Sequence, residues 1–180
     1  MEYCGNYKEW LQQSWIDELK ESSGIKMPRD FMKYEHRYND LKEDRELSQE
    51  EIDHKNAGYS DSVHFEMFDP ADVSFDLDIP FIKDQENYCW WIVKLLPGQI
   101  TPSHIDKDNP DMKINKFWMP WSDWEPGQAF LYGKEAITDW KAGDVWRFTD
   151  PGITHSAVNA GLNIRIALQI TNFRPARSKE

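Results

Sequence analysis

The sequence predicts a mainly β domain, a sandwich, jelly roll or barrel, with a helical segment in front of it. Three observations lead there. Runs rich in β-branched and aromatic residues recur at 88–96, 128–132, 144–148 and 164–171. Gly127, Gly133, Gly143, Gly152 and Gly161 separate the later runs at the intervals that turns between short antiparallel strands require. Upstream, Val73, Phe75, Leu77 and Ile79 alternate with Ser74, Asp76 and Asp78, the period of a strand with one wet face.

The front half has a different period. Over 6–21, Leu11, Trp15 and Leu19 fall at i, i+4 and i+8, an apolar stripe on a helix that Gly24 and Pro28 would stop. A weaker second helix is expected over 29–46. Ser48 with Glu51 forms a capping-box pattern that would open a short third helix before Gly58. The chain of 180 residues is then one domain, a helical front over 1–60 and a β core over about 62–174. Hydrophobic residues at 39% and nine tryptophans supply enough apolar area for a core.

A net charge of −11 argues against nucleic acid or an anionic membrane as partner. The acidity is concentrated in the N-terminal part, so the C-terminal part is able to host an anionic ligand. Cys4 and Cys89 make no disulfide framework and no metal-type pair. No basic segment followed by an apolar run opens the chain, and the longest apolar stretches, such as 89–93, are too short to cross a bilayer. The expectation is a soluble, reduced, cytoplasmic protein acting on a small molecule or a peptide.

The chemistry centres on His104-Ile105-Asp106. On a strand, residues i and i+2 share a face, so this imidazole and carboxylate can reach one ion while Ile105 turns away. His155 is the best candidate for a third ligand. Two histidines and a carboxylate on one side of a metal leave positions open, an arrangement that suits non-haem Fe(II). The pattern is short, and His64-Phe65-Glu66 also fits it. Context favours His104, because Pro97-Gly98 breaks the preceding strand and delivers it from a turn. Arg165 lies ten residues after His155, beyond the turn 159–163. Its planar, permanently charged fork matches the distal carboxylate of a dicarboxylic acid.

These residues, together with Leu96-Pro97-Gly98, the run Trp140 to Phe148 and His155-Ser156-Ala157-Val158-Asn159, resemble the Fe(II)/2-oxoglutarate-dependent oxygenase superfamily. The similarity covers about 88–172 and is greatest to the aspartyl/asparaginyl β-hydroxylase and proline hydroxylase groups. It implies a double-stranded β-helix, a cupin-like jelly roll, with iron held by His104, Asp106 and His155. It also implies that 2-oxoglutarate binds with its 5-carboxylate on Arg165, that O2 is the oxidant, and that the product is a hydroxylated amino-acid or peptide side chain. Where the aspartyl/asparaginyl group carries Arg-x-His, this chain has Lys113-Ile114-Asn115. Lys113 and Asn115 share a face and are candidates to help hold the cosubstrate.

Two other readings stand beside it: a cupin-type metalloenzyme that does not use 2-oxoglutarate, and a non-enzymatic jelly-roll binding module. Trp118, Trp121 and Trp124 read as packing first and as a substrate platform second. Trp90 and Trp91 must point to opposite faces of one strand. Arg147 reads as a surface ion pair.

Overall fold

The computed structural model describes residues 1–28, 63–83, 88–105, 112–150 and 152–175. The expected helices over 29–46 and after Ser48 lie outside those residues, as does Asp106. Eleven strands form two antiparallel sheets. The larger sheet has the order β1 (Glu2–Asn6), β9 (Asp144–Arg147), β6 (Met112–Pro120), β11 (Arg165–Pro175), β4 (Tyr88–Leu95), β3 (Val63–Phe68), β2 (Ile25–Pro28). The smaller has the order β5 (Ile100–His104), β10 (His155–Asn159), β7 (Gln128–Tyr132), β8 (Glu135–Ile137). The two sheets face each other as a double-stranded β-helix, the jelly roll that the β-rich second half predicts.

Strand alternation sorts the core into two layers. Between the sheets lie Phe65, Val93, Leu95, Trp118, Phe130, Tyr132, Trp140, Phe148, Ala157 and Ala167. On the outer face of the large sheet lie Trp90, Ile92, Phe117, Met119, Ile166, Leu168 and Ile170, covered by Trp15, Leu19, Leu77 and Ile79. Trp90 and Trp91 do face opposite ways, Trp90 outward and Trp91 against the interior.

The front differs from its expectation. The stripe Leu11–Trp15–Leu19 is helical only from Gln13, in helix α1 (Gln13–Glu21); Leu11 precedes it after a 3-10 turn at Lys8–Trp10. Trp15 and Leu19 are buried, each contributing about 1.5–3 kcal/mol on transfer. The residues on either side are strands, not helix. β1 adds to β9, and β2 adds to β3. Gly143 makes room for the 3-10 turn that follows β1: it holds a φ of 85°, and a Cβ there would sit 2.3 Å from the Lys8 backbone nitrogen.

The alternating segment over 73–79 is a second correction. Its burial alternates as expected, with Leu77 and Ile79 buried and Ser74, Asp76 and Asp78 exposed. It joins neither sheet. It runs between a 3-10 turn at Pro70–Asp72 and the short helix α2 (Pro80–Lys83). A side chain substitutes for a ladder there: the Glu18 carboxylate accepts from the Ser74 backbone N–H at 2.7 Å and from its hydroxyl.

Candidate metal centre

β4 ends in a tight reversal. Gln99 donates its backbone N–H to Leu96 O at 3.0 Å and accepts the Leu96 N–H on its side chain at 2.8 Å. Gly98 sits in the left-handed region at φ 85°. The chain re-enters as β5, which ends on His104. β10 begins on His155, and the two histidines are direct cross-strand partners. Their ring centroids are 4.2 Å apart. His104 is 8% exposed and His155 2%.

The imidazoles are oriented alike. His104 Nδ1 lies 2.8 Å from Pro102 O, and His155 Nδ1 lies 3.0 Å from Ile153 O. A carbonyl can only accept, so each Nδ1 carries the proton and each Nε2 holds the lone pair. That is how histidines that bind metal are commonly held: one nitrogen donates to a backbone carbonyl and the other takes the ion. Phe148 meets the His155 ring edge to face at 4.9 Å, so the site has an apolar wall.

The loop behind His155 is fixed by Tyr132. Its hydroxyl donates to Asp150 O at 2.6 Å and accepts from Asp150 N–H at 2.9 Å. Beyond the other end of β10, Asn159 is completely buried and ties three backbone segments together. Its Nδ2 donates to Leu95 O at 2.8 Å and Asn163 O at 2.9 Å, and its Oδ1 accepts from Gly161 N–H at 3.2 Å. This turn delivers Arg165 as the first residue of β11.

Arg165 is 1% exposed. Its guanidinium carbon lies 4.9 Å from the Trp140 ring centre and 5.5 Å from that of Trp118. One nitrogen, Nη1, makes a long contact of 3.4 Å to Val158 O. Nε and Nη2 are buried and have no hydrogen-bond partner among the described residues. Burial lowers its pKa to about 9, so it remains a cation at neutral pH. A buried, half-satisfied guanidinium is costly unless something anionic meets it.

The remaining candidates separate. His104 and His155 come together as expected, and Arg165 shares their side of β11 with the interior residue Ala167. Asp106 lies outside the described residues. Asn115 is on the same side of β6 as Phe117 and Met119, the outer face, so the structure turns it away from the histidines. Lys113 has the same strand parity, and its side chain lies outside the described residues. The residue of this strand that does face the interior is Lys116. It is buried, with Nζ 5.4 Å from the Trp91 ring and 5.2 Å from the Phe148 ring. Parity with Trp118 was the signal for it: positions 116 and 118 share a face, and 113 and 115 take the other. Of the competing pair His64 and Glu66, the described side chain, Glu66, also separates from the site. Phe65 points into the interior, so Glu66 points outward, and it is bound by Lys94 at 2.8 Å. Arg147 makes the surface ion pair expected of it, with Glu2.

The solved structures this chain resembles are cupins and double-stranded β-helix proteins. A predicted oxalate decarboxylase from Thermotoga maritima is 20% identical, with 61% of this chain and 81% of that chain covered and a TM-score of 0.41. A Cupin_2 domain of an XRE family transcriptional regulator from Enterobacter cloacae is 11% identical, with 62% and 98% covered and a TM-score of 0.43. A sugar phosphate isomerase from a cupin superfamily, from Silicibacter pomeroyi, is 13% identical, with 64% and 67% covered and a TM-score of 0.39. No family model matches the chain, and no curated protein matches it. These likenesses are to a fold, and the substrates in those names belong to those proteins. Among the described residues, no helix is long and apolar enough to cross a membrane.

Proposed function

We propose that this protein is an Fe(II)- and 2-oxoglutarate-dependent dioxygenase that hydroxylates an amino-acid or peptide side chain. The observation that carries the reading is a buried Arg165 whose Nε and Nη2 lack hydrogen-bond partners among the described residues, facing the same interior as two histidines with parallel tautomers. A histidine pair alone fits any metal-binding jelly roll. A cation placed on the facing sheet, near the far end of β10, adds a requirement for an anion that reaches inward from the histidines.

The residues fit the groups they would hold. His104 and His155 present lone pairs on Nε2, and Asp106 follows His104 by two positions as the expected third ligand. Arg165 supplies two unmet donors in a fork suited to a carboxylate. When bound, iron and 2-oxoglutarate would supply the O2-dependent oxidation of a C–H bond, with release of succinate and CO2. The chain's own part is to hold and exclude. Pro102 O and Ile153 O fix the ring orientations, Phe148 and Trp91 add apolar surface to the interior, and the two indoles lie against the guanidinium. The substrate class follows from the resemblance over residues 140–165.

A cupin-type metalloenzyme that does not use 2-oxoglutarate is the second reading. The indole contacts favour it, because cation–π attraction of roughly 2 kcal/mol per desolvated ring could itself retain a structural arginine. One experiment separates the two. Under anaerobic conditions, protein loaded with Fe(II) is expected to develop a weak visible charge-transfer band when 2-oxoglutarate is added. His155→Ala should abolish Fe(II) binding. Arg165→Leu should keep Fe(II) and raise the 2-oxoglutarate requirement at least tenfold, about 1.4 kcal/mol. Folded, iron-loaded protein without the band, or an Arg165→Leu variant with an unaltered requirement, would leave the second reading in place.

A further inference from the structure

The buried apolar side chains between the sheets are Phe65, Val93, Leu95, Trp118, Phe130, Tyr132, Trp140 and Phe148, with two much smaller exceptions; the polar Gln169 and Thr171 continue the interior face of β11. The exceptions are Ala157 and Ala167. They occupy corresponding places on two strands set inside their respective sheets, β10 in the small sheet and β11 in the large one. Ala157 is the next interior residue after His155 on β10. Ala167 is the next interior residue after Arg165 on β11. The narrowest side chains of the layer therefore lie between the histidines and the guanidinium.

Arg165 supplies the second, independent observation. It reaches from the large sheet to the Val158 carbonyl of the small one, beside Ala157, with Nε and Nη2 buried and unpartnered among the described residues. His155 and Val158 are three residues apart, about 10 Å along a strand. A donor without an acceptor among the described residues lies at one end of this stretch and two imidazoles at the other. Large residues at both alanine positions would take up the room between them.

We infer that Ala157 and Ala167 form a slot that admits a slender, unbranched diacid to Arg165 and rejects one broadened at its middle carbon. The alanines act by omission: each leaves a volume that the diacid's methylenes occupy. The inference rests on the proposed function only in supposing that the diacid is 2-oxoglutarate, since any slender anion reaching Arg165 would use the same slot.

The test is a titration of anaerobic, Fe(II)-loaded protein with 2-oxoglutarate, glutarate and succinate, followed by tryptophan fluorescence, because Trp118 and Trp140 flank the guanidinium. Ala157→Val and Ala167→Val are each expected to weaken diacid binding at least tenfold and to leave Fe(II) affinity within twofold. On the unaltered protein, the 3,3-dimethyl derivative of whichever diacid binds should bind at least tenfold more weakly than its parent. This second measurement needs no variant and so carries the test if the valine proteins do not fold. A folded valine variant that binds the diacid as tightly as the parent protein overturns the slot, as does equal binding of the dimethyl derivative. If glutarate or succinate binds and 2-oxoglutarate does not, the functional reading falls while the slot is judged on the same comparisons. If none of the three binds, both fall.

Discussion

Lys94 and Arg165 are buried on opposite faces of the same sheet, and their surroundings differ in kind. Lys94, 3% exposed on the outer face, is fully answered. Its ammonium pairs with Glu66 at 2.8 Å, donates to Leu19 O at 3.1 Å and to Ser22 O at 2.5 Å, and lies over the Phe68 ring. Glu66 also accepts from the Gly24 N–H at 3.2 Å. The lysine thereby closes the C-terminal end of α1, whose last carbonyls would otherwise be orphaned, and fastens the helix to the sheet. Arg165, on the inner face, has two indole faces, one long carbonyl contact and no carboxylate among the described residues. A fold that can provide a lysine with four partners has no steric reason to leave an arginine with so few. The difference fits a structural role for Lys94 and, on the function proposed above, a ligand-binding role for Arg165.

The largest test of that contrast is stability. Glu66→Ala would strand a buried ammonium, and a loss of about 3–5 kcal/mol is expected by denaturant unfolding. Arg165→Leu would remove a buried charge that lacks an ion-pair partner, so its stability should change by less than ~1 kcal/mol or rise. Equal losses in the two variants would erase the distinction. Next comes the response to ligand. At one hundred times its dissociation constant, a diacid should stabilise the protein by about 2.7 kcal/mol, and Arg165→Leu should lose that gain.

The same binding should depend on pH in one direction. Burial lowers the pKa of Arg165 to about 9. Below pH 9 the guanidinium is charged both folded and unfolded, and the cost of its burial is fully present. Above 9 the ligand-free folded protein gives up that proton while the unfolded chain keeps it, so the cost is relieved as pH rises further. Diacid affinity, which needs the charge, should therefore be flat below pH 9 and fall by up to tenfold per pH unit above it. Affinity still rising at pH 10 would exclude Arg165 as the anchor. The smallest expected effect belongs to the exposed cation: Arg147→Ala breaks only the surface pair with Glu2 and should cost about 0.5 kcal/mol or less.

Much of the β core was readable because its information is local. Glycines at turns and β-branched runs located β4, β7, β9 and the start of β11 to within a few residues, and those features depend only on neighbouring positions. The histidines were readable for a related reason: strand ends and turns are encoded beside them. The segment 73–79 was misread as a ladder strand because alternating hydrophobicity reports which side chains are covered. It does not report whether the backbone pairs, and here a single carboxylate, Glu18, took the place of a neighbouring strand. β1 and β2 were invisible for the converse reason. Both lie at sheet edges, where pairing to distant residues outweighs propensity. On β6, strand parity with Trp118 brings Lys116 to the interior and turns Asn115 to the outer face, which the short motif Lys113-Ile114-Asn115 does not reveal.

By itself, the sequence determined a β-rich jelly roll, a facing pair of histidines and an arginine ten residues beyond the second. Only the tertiary structure decided that the arginine is sealed between two indoles with donors unmet, and that the narrowest residues of the interior stand between it and the histidines. Periodicity and turns are properties of adjacent residues. Burial, lack of a partner and the width of a gap arise only when strands far apart in the chain are brought face to face.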